Sequence, residues 1–188
     1  MSKVPKISII TINYNNLEGL IKTVQSVSGQ NYKNLEYIVI DGGSTDGSTA
    51  YIEQQKDHFS YWVSEQDKGV YDAMNKGILN ATGDFIVFIN SGDHFLNEDA
   101  IASVFKYAKN DAQIIYGDML ITSFDSLRTK HVSYKNKVSK LHLYESGFAH
   151  CSSFYKKEVF DNIGLYDSKL KIAADLEFNY RALIKYNY

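Results

Sequence analysis

Short runs of β-branched and aromatic apolar residues recur along this chain, separated by stretches whose apolar residues fall three or four apart. Residues 6–12 (KISIITI) and 35–40 (LEYIVI) are short, nearly continuous apolar runs, the pattern of strands covered on both faces. The run at 84–89 (DFIVFI) is the most apolar of all, and 59–64 (FSYWVS) supplies another strand. Leu17, Leu20, Ile21, Val24 and Val27 form a stripe that predicts a helix over 17–28. Further helices are expected over 48–55, 70–80 and 97–108. Residues 114–122 and 128–132 predict strands with a hairpin between or near them. A helix over 172–186 would carry an apolar stripe through Leu176, Tyr180 and Leu183. Strands alternating with helices imply an α/β fold, a three-layer α/β/α arrangement around a mostly parallel sheet.

Composition narrows the possible partners. The chain has 188 residues and a formal net charge of −2, so no global field draws it to nucleic acid, and no nucleic-acid partner is expected. The single Cys151 can form neither an internal disulfide nor a cysteine-based zinc site, which fits a reducing compartment and a cytoplasmic location. No apolar run approaches the ~20 residues that span a bilayer. The 15 tyrosines and 10 phenylalanines imply either a large aromatic core or rings placed to stack on sugars or bases.

Ligands of parallel sheets bind outside the carboxyl ends of the strands. Three polar clusters fall there: Asn13-Tyr14-Asn15, Asp41-Gly42-Gly43-Ser44 and Asn90-Ser91-Gly92-Asp93. The first turn reads INYNNLEG, with no G-x-G-x-x-G, and no P-loop occurs, which argues against dinucleotide and P-loop chemistry. An exposed Tyr14 can stack on a nucleobase. Asp41 can accept hydrogen bonds from a base or ribose, or DGGSTDGS is only a turn with Asp46 or Ser48 capping a helix. Asp93 suits a hard divalent cation or a plain turn. Lys68, just before a helix start, can pair with a phosphate, while Asp72 and Asn75 share a helix face. Asp175 is either a helix-start acid or a general base in a cleft. The stretch 128–142 holds Arg128, Lys130, Lys135, Lys137 and Lys140 without an acid, suiting an anionic lipid or pyrophosphate, or merely solvent. His150 is a cleft residue or a satisfied strand histidine.

In this order the strings ISIITINYNN, QSVSGQNYKNLEYIVIDGGSTDGS, EQDKGVYDAMNKGILNATGD, FINSGD and HCSSFYKKEVFDNIGLYDSKLKIAADLEF resemble a family 2 glycosyltransferase of the GT-A fold. EQDKGVYDAMNKG further resembles bacterial enzymes of surface-polysaccharide biosynthesis. The resemblance implies inverting transfer of a sugar from a nucleotide-diphospho-sugar donor to a hydroxyl of a glycan or lipid-linked acceptor. It implies a single catalytic domain over 1–188, with a nucleotide-sugar half at about 1–95 and an acceptor half at about 96–188. It further implies that Tyr14 and Asn13 flank the base and that Asp41 contacts the nucleoside. Lys68, Asp72 and Ser91 would line the donor, Asp93 would hold Mn²⁺ or Mg²⁺, and Asp175 would be the general base. Three departures stand out: Gly42 replaces the second acid of the strand-end pair, Ser91-Gly92-Asp93 replaces DxD, and Ala174 precedes Asp175 where an acid is usual. Relatives generally continue beyond the base, so a missing C-terminal tail is expected, with peripheral contact at the inner membrane face. The alternatives are a nucleotidyltransferase-like enzyme and a degenerate module that only binds nucleotide or glycan.

Overall fold

Seven consecutive buried side chains place β1 (Ile7–Asn13) at the centre of the fold. Ile7 and Ile9 face one apolar layer and Ile10 and Ile12 the other, so the run is apolar on both sides because both sides are covered. The structure is a computed structural model, and it describes residues 4–109, 111–123, 128–134 and 149–186.

Around β1 the strands are β2 (Leu35–Asp41), β3 (Tyr61–Ser64), β4 (Phe85–Phe88), β5 (Ile114–Tyr116), β6 (Met119–Thr122), β7 (Thr129–Val132) and β8 (Ser153–Lys156). Six of them form one sheet in the order β3-β2-β1-β4-β8-β5. The first four are parallel, and β8 runs antiparallel to both β4 and β5. Helices α1 (Leu17–Ser28), α2 (Ser48–Gln54) and α4 (Ala100–Tyr107) bury Leu20, Val24, Val27, Ile52 and Ile101 on one face. On the other face α3 (Val70–Asn80), α5 (Lys157–Ile163) and α6 (Ala174–Tyr180) bury Met74, Ile78, Phe160 and Phe178. Each such side chain contributes roughly 1.5–3 kcal/mol by leaving water. Much of the aromatic excess lies in this second layer, where Phe160 stacks on Phe178 at 4.6 Å and Tyr155 and Tyr166 meet both rings.

Three expectations change. The strand expected over 114–122 breaks at Gly117 and Asp118: β5 closes the edge of the main sheet, while β6 pairs with β7 in a separate ribbon. Asp118 accepts hydrogen bonds from Ser133 Oγ and Tyr134 N, both at 3.0 Å, which anchors the start of the ribbon to its end. The C-terminal helix is shorter than 172–186, ending at Tyr180 in a π-helical turn, Arg181–Lys185. Its buried stripe is Ala174, Phe178 and Ala182, not Leu176, Tyr180 and Leu183, and Ala173 enters the helix from a left-handed conformation. Strand β8 carries no alternating pattern, being buried at Ser153, Phe154 and Tyr155 alike. Of the basic stretch, Arg128 and Lys130 lie exposed on the ribbon, whereas Lys135, Lys137 and Lys140 lie outside the described residues. Among the described residues no helix is long and apolar enough to cross a membrane.

Two contacts set the register beneath the strand ends. Glu36, buried on β2, accepts from Ser8 Oγ (2.5 Å), Thr82 N (2.7 Å), Thr82 Oγ1 (2.6 Å) and Lys6 Nζ (2.9 Å). Burial alone would raise its pKa, but these donors outweigh it and hold the carboxyl at about 2. α3 meanwhile approaches β1 through Gly77, where a Cβ would lie 2.4 Å from Ile10 Cγ2.

Gly77→Ala is therefore expected to destabilise the protein by ~1–3 kcal/mol in urea unfolding, although alanine is the better helix former. A stability gain would show that the helix can move off β1. Because the folded-state pKa of Glu36 lies below the ordinary 4.5, its contribution is complete above that pH and is lost as pH falls towards 2. The stability gap between wild type and Glu36→Gln should therefore close across that interval; a gap that persists at low pH rules out the charged network as its source.

Candidate active site

Parallel register aligns Asn13, Asp41 and Ser64 across three neighbouring strand ends. Asp41 has no solvent exposure. Its carboxylate accepts from Asn13 Nδ2 (2.7 Å), Ser44 Oγ (2.6 Å), Ser44 N (2.9 Å) and Ser64 Oγ (2.6 Å). Burial pulls the pKa up, and the donations led by Ser44 and Ser64 bring it below the ordinary carboxylate value. The protein thus occupies the acceptor positions of Asp41, which stands behind the cleft as its anchor. The adjoining loop also departs from a simple capped turn. Gly47, at φ +100°, occupies the cap position of α2, and Asp46 accepts from Leu17 N (2.8 Å) and Ser48 N (3.0 Å), tying two helix starts together.

In front of this anchor lies an open cleft of about 700 Å³. Asn13, Tyr14 and Asn16 line it from β1, Gly42 and Gly43 from β2, Gln66, Asp67 and the first turn of α3 from the side, and Asn90 and Ser91 from β4. Tyr14 is 67% exposed, so its ring face is available at the mouth. Asn16 caps α1 through Gly19 N (3.2 Å) and donates to Ser91 O (3.0 Å), joining the first and fourth strand ends. Lys68 and Asp72 do not line the cleft. Asp72 instead accepts from Lys68 N (3.1 Å) at the start of α3 and lies 3.8 Å from Lys76 Nζ. Asn75, on the same helix, clamps Tyr166 with two backbone hydrogen bonds of 2.9 and 3.1 Å.

Asp93 ends a tight turn through Gly92 at φ +106°. Buried Thr23 of α1 holds the turn, donating to Asp93 O (2.7 Å) and accepting from Gly92 N (3.0 Å). No described side chain donates a hydrogen bond to the Asp93 carboxylate. Burial raises its pKa against the opposing pull of His150 and His94. A desolvated acid of this kind fits a cation. Yet among the described residues no three His, Cys, Asp or Glu side chains converge into a cage, so the donor set fits an ion completed by substrate phosphates.

Asp175, in the first turn of α6, meets two donors. Tyr71 OH lies 3.0 Å from Oδ1 and His150 Nδ1 3.3 Å from Oδ2. His150 Nε2 lies 3.0 Å from Asn90 Nδ2; with that amide donating, the ring proton sits on Nδ1 and faces Asp175. The hydrogen bond from His150 chiefly, helped by Tyr71 and against burial, lowers the Asp175 pKa and keeps it ionised. His150 does not line the cleft but bridges Asn90, which does, to Asp175. Beside it burial, with Asp93 nearby, pushes the Cys151 thiol up to about 11, which removes it as a nucleophile at neutral pH. Sequence reasoning missed Tyr71 and Thr23 because their types are ordinary for a helix, and it placed Asn90 in the strand-end cluster without a role; only the position of Tyr71 within EQDKGVYDAMNKG hinted at one.

Comparison with known proteins places this geometry. Residues 8–164 match the Glycosyl transferase family 2 profile. An uncharacterized glycosyltransferase of Mycobacterium tuberculosis is 36% identical over 189 aligned positions, covering 98% of this chain and 71% of that protein. A PGL/p-HBAD biosynthesis glycosyltransferase of Mycobacterium bovis is 28% identical, over 94% of this chain and 69% of that protein. Among solved structures, the fold matches a mannosyltransferase of Pyrobaculum calidifontis in complex with GDP-Man and Mn²⁺ (TM-score 0.74, 18% identity, 98% of this chain). It also matches S. aureus TarS in complex with UDP-GlcNAc (TM-score 0.78, 19% identity, 94% of this chain). The chain spans about half the length of these two solved chains, 53% of each. The mostly parallel sheet, the cleft at its carboxyl edge and the family match together make this chain a family 2 glycosyltransferase of the GT-A fold.

Proposed function

We propose that the protein transfers a sugar from a nucleotide-diphospho-sugar to a hydroxyl of a glycan or lipid-linked acceptor, inverting the anomeric centre, with Asp175 as general base. One observation carries this reading: a carboxylate held ionised by His150 and Tyr71 stands beside a nucleotide-sized cleft, with only the first turn of α3 between them.

Tyr14 stacks on the base, and Asn13 and Ser91 line the donor. Lys68, exposed beside the cleft, meets a phosphate, and Asp72 orients it through the backbone. Asp93 is the residue that would hold Mn²⁺ or Mg²⁺, and such an ion, when bound, neutralises charge on the leaving diphosphate. Asp175 takes the proton of the acceptor hydroxyl. That oxygen then bonds to the anomeric carbon from the face opposite the diphosphate, and the electron pair of the breaking C–O bond leaves with the nucleotide. A carboxylate of lowered pKa is a weak base, so proton transfer comes late, as the attacking hydroxyl acidifies. The exposed ribbon, with Leu120 and Ile121 beside Arg128 and Lys130, suits an anionic lipid surface presenting the acceptor and supports peripheral contact at the inner membrane face.

Asp175→Asn is expected to lower kcat by about 10²–10⁴-fold while leaving nucleotide-diphosphate binding unchanged. Asp93→Ala should weaken Mn²⁺-dependent nucleotide-diphosphate binding in calorimetry by about tenfold or more. Wild-type turnover by the first variant overturns the base assignment. Co-sedimentation with vesicles should rise with anionic lipid content and fall on Arg128→Glu with Lys130→Glu; indifference to lipid charge removes the membrane contact.

A further inference from the structure

From the end of β4 at Phe88 to the start of α4 at Ala100 the chain runs as a loop, and this loop carries Asp93. A loop has no ladder of its own, so its backbone groups need partners from elsewhere. One helix supplies most of them. Thr23 Oγ1 accepts from Gly92 N at 3.0 Å and donates to Asp93 O at 2.7 Å. Ser26 Oγ accepts from Phe95 N at 2.7 Å. Gln30, just past the end of α1, donates to Asn97 O at 2.7 Å and accepts from Ile101 N at 3.3 Å. Spacings of three and then four residues continue one helical face, and the loop meets its residues in the same order.

The fixing is closest around Asp93. Ser91 N donates to Ile12 O at 3.1 Å, and Ser91 O accepts from Asn16 Nδ2 at 3.0 Å. Asp93 N donates to Asn90 O at 2.8 Å. Because Thr23 takes both Gly92 N and Asp93 O, the turn cannot rotate without breaking one of these bonds. Thr23 has no solvent exposure, so water cannot replace either of them. Ser26 and Gln30 act further along, from Phe95 onward, and do not touch the turn.

We propose that Thr23 is a positioning residue for Asp93: its hydroxyl sets where the carboxylate stands, and with it how strongly a cation and the donor diphosphate are held. This rests on the reading of Asp93 given above. Gln30 serves the same loop as a tether that stabilises without placing the acid. Position 23 needs a hydroxyl because one oxygen must accept from Gly92 and give its proton to Asp93. Valine has the same shape and does neither, leaving an amide and a carbonyl unpaired in the interior. A binding group has to be held within about 0.5 Å of its working position, so a turn released in this way loses affinity before it loses the fold.

The test is calorimetry of whichever of UDP, dTDP, GDP, CDP and ADP wild type binds, with Mn²⁺ and again in EDTA. Wild type, Asp93→Ala, Thr23→Val, Thr23→Ser and Gln30→Met are compared, and urea unfolding gives the stability of each. Thr23→Val should weaken Mn²⁺-dependent binding by about tenfold or more while binding in EDTA stays within about threefold of wild type. Thr23→Ser keeps the hydroxyl and should bind within about threefold of wild type. Gln30→Met should lower the urea midpoint without moving the Mn²⁺-dependent affinity, which separates placement of the turn from stability of the loop. Should Thr23→Val fail to fold, Thr23→Ala is read in its place. Wild-type Mn²⁺-dependent affinity in Thr23→Val, an equal loss in Gln30→Met, or no recovery in Thr23→Ser overturns the inference; the reading of Asp93 survives as long as Asp93→Ala weakens the same binding. A wild type that binds none of the five, or an Asp93→Ala of wild-type affinity, overturns that reading and the inference with it.

Discussion

A fully buried carboxylate sits at the end of β2, and the rim of the sheet is built to keep it ionised. An unpaired charge there costs several kcal/mol, so Asp41 is tolerable only because Asn13, Ser44 and Ser64 all donate to it. Those donors come from β1, from the loop after β2 and from β3. Satisfying one charge therefore pins three strand ends and the glycine turn together. Tyr14 and Gly42 flank each other on the wall of the cleft in front of this knot.

The second organising element is α3. Gly77 lets it lie directly on β1, and Asn75 clamps the chain at Tyr166, which fills the core between Phe88 and Phe178. With the helix so fixed, its first turn faces two ways: Gly69 and Val70 wall the cleft while Tyr71 reaches Asp175. Asn90 closes the circuit on the far side. Its carbonyl accepts from Asp93 N at 2.8 Å and its amide meets His150, so the turn that carries Asp93 and the ring that supports Asp175 share one residue. The Asp93 turn and the Asp175 carboxylate are thereby held in one hydrogen-bonded unit.

The layered fold was legible because its signal is strong. Runs such as KISIITI and DFIVFI suit little other than doubly covered strands, and the stripe of α1 is unambiguous. Legibility fell where local pattern and burial part company. Gly117 and Asp118 look like the interior of one strand in IIYGDMLIT, yet they divide two sheets, because Gly117 N bonds across to Ser152 O while Asp118 turns back to the ribbon. The last helix was read about two residues out of phase, since Leu176 and Tyr180 are the larger apolar residues while the smaller Ala174 and Ala182 fit against the core.

At the site the division is sharper. Sequence by itself determined which residue types end the strands: acids, amides and glycines close or follow the apolar runs of β1, β2 and β4. It also determined that Asp93 and Asp175 are present. Only tertiary structure decided what each carboxylate is free to do, because that depends on which donors reach it. Asp41 and Asp93 look equivalent along the chain, both closing a buried strand beside glycine. In space the first accepts from three neighbouring side chains, while no described side chain donates to the second, so only the first pins the rim together. Asp67, 25 residues further along the chain than Gly42, meets it only because β2 and β3 run side by side.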